Sequence, residues 1–217
     1  MARLASPHPV RGLYVLCDDD LRWPHDPVEQ AQAALAGGAR IVQVRAKHAT
    51  DRQALAWAES IRALATAHAA LFFVNDRFDL ALAAGADGVH LGQHDLPPAR
   101  VPESARARLL LGRSTHTLEQ ARVASEEPVD YIAFGPLYGT TSKHSEYEAR
   151  GLDALAEVVR IVAPRPVVAI GGIDAARAVD VVRAGAAAVC VISAVAGAND
   201  PAAAARTLSD VIAMSRA

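Results

Sequence analysis

The sequence predicts an α/β fold in which eight βα units close into a single (β/α)8 TIM barrel spanning residues 1–217, and three observations carry that expectation. Short runs rich in valine and isoleucine recur along the chain. Alanine-rich stretches with helical spacing separate most of them. Gly37-Gly38-Ala39, Gly85-Ala86-Asp87 and Gly185-Ala186-Ala187 each close such a stretch just before an apolar run. Alternation of this kind is the pattern of parallel strands joined by crossover helices, and glycine after a helix suits a left-handed C-cap. Eight units in 217 residues fall near the compact end of the barrel's size range. An open doubly wound sheet would place Gly-x-Gly-x-x-Gly after the first strand, where Cys17-Asp18-Asp19-Asp20 stands instead.

The elements follow in order. Leu13-Tyr14-Val15-Leu16 after Gly12 makes the first strand, 12–16, and an alanine-containing helix follows at 27–36. The alternating Ile41-Val42-Gln43-Val44-Arg45 is the second strand, 41–45, followed by a long helix at 52–69. Strand 71–75, helix 78–84 and strand 88–91 come next, and the connection 97–108 has room for one short helix. Strand 109–114 leads to helix 118–125, strand 131–134 to helix 152–162, and strand 167–170 to helix 175–184. Strand 187–192 and a last helix at 202–215 complete the set. Whether residues 1–10, with Pro7 and Pro9, are ordered is left open.

Composition narrows the function classes. Hydrophobic residues make up 52% of the chain, enough for one large domain with a substantial core. A formal net charge of -2 and a pI near 6.4 leave no global basic field for nucleic acid, so local positive charge must serve small anions. No apolar run approaches the roughly 20 residues that cross a bilayer. The start, Met1-Ala2-Arg3-Leu4, lacks the apolar core of a signal peptide, so the cytoplasm is the expected address and no membrane partner is expected. Cys17 and Cys190 sit in or at the end of apolar runs and read as small buried thiols, with no disulfide or zinc pattern. Small barrels often pair through outer helices, so a homo-oligomer is compatible with the chain.

A barrel builds its active site at the C-terminal ends of its strands, and the polar residues crowd there. Gln43 and Arg45 share strand parity and leave one face, while Val42 and Val44 leave the other. Lys47 follows. Asn75-Asp76 ends the third strand, Gln93 and Asp95 follow the fourth, and Ser114 ends the fifth. An arginine fork, a flexible ammonium and two carboxylates able to hold a hard cation are the parts needed to grip a pyrophosphate with Mg²⁺. The alternative for Asp76 and Asp95 is that each merely caps the following helix.

Two further regions extend the site. The loop 135–143 after the sixth strand is rich in glycine and hydroxyls and ends in Lys143, as a phosphate-binding loop would; the alternative is an exposed polar loop. Gly171-Gly172 after the seventh strand and Ile192-Ser193 after the eighth sit where barrels often bind phosphate on backbone amides. His90 and His94 form the only close histidine pair and flank a turn, which does not suit zinc. His116 either acts as an acid or base at the mouth or hydrogen-bonds a loop.

Six segments carry a family resemblance: VQVRAK (42–47), VNDRFDLALAAGADGVHLGQHDLP (74–97), GRSTHT (112–117), DYIAFGPLYGTTSK (130–143), VVAIGGI (167–173) and CVISAV (190–195). Over nearly its whole length the chain resembles the thiamine phosphate synthases. The resemblance implies a Mg²⁺-dependent transferase joining 4-amino-5-hydroxymethyl-2-methylpyrimidine diphosphate to thiazole phosphate, with release of pyrophosphate. It implies Asp76 and Asp95 as Mg²⁺ ligands and Gln43, Arg45, Lys47, Asn75 and Lys143 as pyrophosphate and pyrimidine contacts, with Arg45, Lys47 and Lys143 acting on the leaving group. Ser114 would be another pyrimidine contact, and Thr140, Ser142, Gly172, Ile192 and Ser193 would surround the thiazole phosphate. Gly139 stands where that family usually has proline and Ser142 where threonine is common. A sister family, the thiazole tautomerases, shares the barrel and would make His116 the candidate base, but has no evident need for the Asp76 and Asp95 pair. A non-catalytic barrel that binds phosphate ligands and regulates a partner is the reading from another class, and it would not require a metal site.

Overall fold

The computed structural model describes residues 9–139 and 147–216. Its strands are β1 (Gly12–Asp18), β2 (Ile41–Arg45), β3 (Leu71–Asn75), β4 (Gly88–Leu91), β5 (Leu110–Thr115), β6 (Tyr131–Phe134), β7 (Val167–Ile170) and β8 (Ala188–Val191). They form a closed barrel in chain order, with each neighbouring pair parallel and β8 bonded back to β1. The helices are α1 (Pro27–Ala36), α2 (Asp51–Ala67), α3 (Phe78–Ala83), α4 (Glu103–Arg106), α5 (Leu118–Glu126), α6 (Gly151–Val162), α7 (Ala175–Arg183), α8 (Ser193–Ala196) and α9 (Pro201–Met214). No helix among the described residues is long and apolar enough to cross a membrane.

Local chemistry explains where helices start. Asp26 accepts from the amides of Val28 and Glu29 while Glu29 reaches back to the Asp26 amide, a reciprocal capping box worth about 1 kcal/mol. Thr50, Thr117, Asp174 and Asp200 cap α2, α5, α7 and α9 in the simpler way. The expected left-handed glycines are present at Gly38 (φ 90°), Gly85 (φ 64°) and Gly185 (φ 100°).

Most elements match the sequence reading to within one or two residues at each end, and four departures have a local physical reason. β1 runs two residues further, to Asp18, because Asp18 stays in register opposite Arg45 and pairs with its side chain. β5 starts at Leu110, since the Leu109 amide still closes the turn after α4 on Ala105. The connection 97–108 holds a 3-10 turn (Pro98–Arg100) and then α4 rather than one helix, because Pro102 forces Val101 out of helical conformation (ψ 128°). The four-residue α8 carries neither a side-chain cap nor a periodic pattern long enough to read.

Strand alternation sorts the core into two shells. Leu13, Val15, Val42, Val44, Phe72 and Val74 face outward under the helices. Tyr14, Leu16, Ile41, Phe73, Tyr131 and Val168 fill the barrel interior, with Val10 packed in the same cluster ahead of β1. Each fully buried large apolar side chain contributes about 1.5–3 kcal/mol. The interior accepts two large rings because β4 and β5 offer no side chain opposite them. A Cβ on Gly88 would fall 2.3 Å from Phe73 Cε1, and one on Gly112 would fall 2.1 Å from Tyr131 Cζ. The two rings meet edge-on at 5.6 Å.

Candidate functional site

The C-terminal mouth of the barrel is assembled from the ends of β1 to β5 on one side and β6 to β8 on the other. On the first side, Asp18 ends β1 with 1% exposure, and its backbone amide and carbonyl are both held by the Gln30 side chain of α1. Its carboxylate accepts from Arg45 Nη1 at 2.5 Å, which fixes the guanidinium while leaving its other N–H donors available. The next residue, Asp19, accepts from the amides of Lys47, His48 and Ala49, all at 2.8 Å. Those three bonds fold the segment after β2 back onto β1 and place the Lys47 ammonium against Asp76.

Asp76 stands at φ 64°, an uncommon conformation for a residue other than glycine and one that aspartate tolerates. The residue does not cap α3: the N-cap is Arg77, without a side-chain bond. Asp95 caps no helix either. Its carboxylate closes its own turn on the Gly92 amide at 2.6 Å. The capping alternative for both residues therefore fails, and the two carboxylates instead hydrogen-bond each other. Burial and then the bond to Asp76 raise the Asp95 carboxyl above its ordinary value. Burial would raise Asp76 too, but bonds from Asp95 and Lys47 outweigh it and hold that carboxyl low.

Beside this acidic pair lies a cavity of about 530 Å³, lined by Gln43, Ser114, Gly172, Ile192 and Ser193 among the expected site residues. Arg45, Lys47, Asn75, Asp76 and Asp95 are not part of that lining; of these, Asn75 is joined to it by Gln43 Nε2, which donates to Asn75 Oδ1 at 2.6 Å. Thr140, Ser142 and Lys143, at the end of the expected phosphate loop, lie outside the described residues.

Three residues that the sequence reading did not single out as site residues form the floor. Tyr14 Oη donates to Gln43 Oε1 at 2.5 Å and lies 3.2 Å from Tyr131 Oη. His90 is bonded through Nδ1 to Tyr131 Oη at 2.9 Å and through Nε2 to Ser114 Oγ at 2.8 Å. Burial, followed by the neighbouring Tyr131, pushes the Tyr14 phenol well above 10.0, and burial also raises Tyr131. Parity was the available signal: Tyr14 and Tyr131 share the inward face with Leu16 and Ala133, where a hydroxyl must find a partner.

On the second side, Gly171 (φ 105°) and Gly172 (φ 64°) turn the chain after β7, with Tyr138 packed so closely that a Cβ on Gly172 would fall 2.9 Å from it. Ile192 and Ser193 open α8 next to this turn in the cavity wall. His116 stacks on Tyr147 with ring centres 4.1 Å apart, and its Nδ1 meets the Gly135 carbonyl at 2.6 Å, so it secures the chain after β6 while forming part of the wall.

The donor set suits a hard cation held jointly with a ligand. Among the described residues no group of three or more His, Cys, Asp or Glu side chains could hold a metal alone. Mg²⁺ is ordinarily bound by one or two carboxylates plus substrate phosphates, and Asp76 with Asp95 supplies two.

The thiamine monophosphate synthase family profile matches residues 13–195. The chain is 51% identical to the thiamine-phosphate synthase of Anaeromyxobacter dehalogenans over 209 residues, covering 95% of this chain and 90% of that one. It is 44% identical to the thiamine-phosphate synthase of Methanoculleus marisnigri, with 94% and 97% covered. The solved thiamine phosphate pyrophosphorylase from Pyrococcus furiosus superposes with a TM-score of 0.86 at 36% identity, covering 97% of this chain and 98% of that one.

Proposed function

The chain belongs to the thiamine monophosphate synthase family, and from that premise we propose that Asp76 and Asp95 hold Mg²⁺ against a pyrimidine diphosphate whose leaving group is received by Arg45, Lys47 and Lys143. The enzyme is a transferase of thiamine biosynthesis that joins 4-amino-5-hydroxymethyl-2-methylpyrimidine diphosphate to thiazole phosphate, giving thiamine phosphate and pyrophosphate. The observation that carries the site assignment is the contact of Lys47 with Asp76, itself bonded to Asp95, beside the Gln43 and Asn75 amides.

The bond that breaks joins the pyrimidine methylene carbon to the diphosphate oxygen, and its electron pair leaves with the diphosphate. The ring's amino donor stabilises the methylene cation, and the thiazole nitrogen then supplies the electron pair of the new C–N bond. Bound Mg²⁺ supplies charge neutralisation to the diphosphate. Arg45, oriented by Asp18, and Lys47 add fixed positive charge where negative charge grows, which is the effect that usually dominates such catalysis. Gln43, Asn75 and Ser114 orient the pyrimidine. The apolar side of the cavity, including Leu16, Val168 and Ile170, keeps water from capturing the cation. Gly172, Ile192 and Ser193, with Thr140 and Ser142, hold the thiazole phosphate.

The purified protein incubated with both substrates and Mg²⁺ tests this reading. Mg²⁺-dependent, stoichiometric formation of thiamine phosphate and pyrophosphate supports it; no product with both substrates intact overturns it. The cytoplasmic address and a possible pairing of copies stay expectations of the sequence, the latter testable by sedimentation.

A further inference from the structure

Arg177, in the first turn of α7, reaches back over the start of its helix to the turn that follows β7. Its backbone amide donates to the Asp174 cap. Its Nη1 donates to the Gly172 carbonyl at 2.6 Å, and the same guanidinium lies over the Tyr138 ring, 4.6 Å from its centre. Tyr138 is joined to that turn as well, through its amide, which donates to the Gly171 carbonyl at 3.0 Å. One planar cation therefore grips the segments after β6 and β7 together, a combination that a lysine ammonium does not reproduce.

The carbonyl held by Arg177 belongs to a trans peptide, so the N–H of Ile173 points the opposite way. Arg177 is not part of the cavity wall, whereas Gly171, Gly172 and Ile173 are. Among the described residues no acceptor takes the Ile173 amide, although the residue is only 4% exposed. A buried amide of that kind needs a partner. Gly172 alone would not keep the peptide in this orientation, since glycine leaves its own dihedrals nearly free. Rotating the peptide would turn a carbonyl oxygen into the cavity instead.

We infer that Arg177 is a positioning residue for the acceptor substrate: by holding the Gly172 carbonyl away from the cavity, it aims the Ile173 N–H at the phosphate of the thiazole. The guanidinium acts through the peptide and does not touch the ligand. Its charge strengthens the bond to the carbonyl and polarises the peptide, which makes the N–H on the far side a better donor. Tyr138 holds the guanidinium in place by covering its face. The inference deepens the reading of a thiazole phosphate acceptor and rests on it for the identity of the ligand.

Two measurements test it. In the ¹⁵N-labelled protein titrated with inorganic phosphate, the assigned Ile173 amide proton is expected to move downfield as the site fills, and in Arg177→Ala to stay near its ligand-free position even at saturation. A wild-type signal that does not move overturns the inference. So does an Arg177→Ala signal that reaches the wild-type position at higher phosphate, because it would put the guanidinium on the phosphate itself. In steady-state kinetics with Mg²⁺, Arg177→Ala is expected to raise KM for thiazole phosphate about tenfold while KM for the pyrimidine diphosphate changes by less than about twofold. Arg177→Lys keeps a donor for the carbonyl without the planar stack and is expected to fall between the two; it also serves should Arg177→Ala fold poorly. Equal rises in both KM values, or no rise in either, overturn the inference. If the wild type makes no thiamine phosphate the functional reading fails, and the phosphate titration still decides the role of Arg177.

Discussion

Arg45 is held by Asp18: the guanidinium of β2 donates to a carboxylate of β1 that is 1% exposed, at 2.5 Å. The pair turns an otherwise flexible cation into a fixed one, and its removal has two separable consequences. Asp18→Ala leaves a mostly buried guanidinium without its carboxylate, at a cost of about 3 kcal/mol in a denaturant titration. The same variant raises KM for the pyrimidine diphosphate, because Arg45 no longer waits in place. A variant as stable as the wild type would show that the pair carries no folding energy.

Asp76→Asn isolates the charge of the acidic pair from its geometry. Asparagine tolerates the positive φ of position 76, so stability should change by less than about 1 kcal/mol. Turnover at limiting Mg²⁺ should fall about a hundredfold or more. Asp76→Ala loses the same charge and adds about 1 kcal/mol of backbone strain. An unchanged rate for Asp76→Asn at limiting Mg²⁺ would dismiss the metal assignment.

The two floor phenols carry a pH signature. Burial raises both folded pKa values above the unfolded 10.0. A group raised in the folded state contributes stability that is complete below its unfolded pKa and is lost as pH rises toward the folded one. Alkaline stability should therefore decline above about pH 10 through Tyr14 and Tyr131. An ultraviolet titration of Tyr131→Phe should show as many phenolates before unfolding as the wild type; one fewer would mean that Tyr131 ionises in the native barrel.

Gly112→Ala probes the space reserved for a ring. The added methyl would sit 2.1 Å from Tyr131 Cζ, so the ring must move, at a cost of about 1–3 kcal/mol. Thermal unfolding checks the stability loss. Substrate affinity should weaken in parallel, since the same shift breaks the contacts of Tyr131 with Tyr14 and His90.

Most of the barrel was legible because each strand and helix repeats one local rule: an apolar run, an alanine-rich face and a glycine stop. Gln43, Arg45, Asn75, Asp76, Asp95 and Ser114 were legible as site candidates because they break an apolar pattern at strand ends. Asp18 was not, since a carboxylate after Cys17 looks like the end of a strand until its register opposite Arg45 is known. Tyr14, Tyr131 and His90 were hidden for a related reason. Their polar atoms meet only across a closed barrel, and the sequence separations of 117 and 41 residues carry no local signal.

The hydrogen-bonded floor joins side chains from β1 to β6, and so it exists only when all six of those strands are docked. Any partially assembled form, with β5 or β6 still undocked, leaves a phenol or an imidazole buried without a partner and lacks the surface that orients the pyrimidine. Competence to ionise a diphosphate therefore arrives when the last of these six strands docks rather than gradually. An enzyme that makes a carbocation gains from that timing, because an immature chain cannot squander its activated precursor by simple hydrolysis.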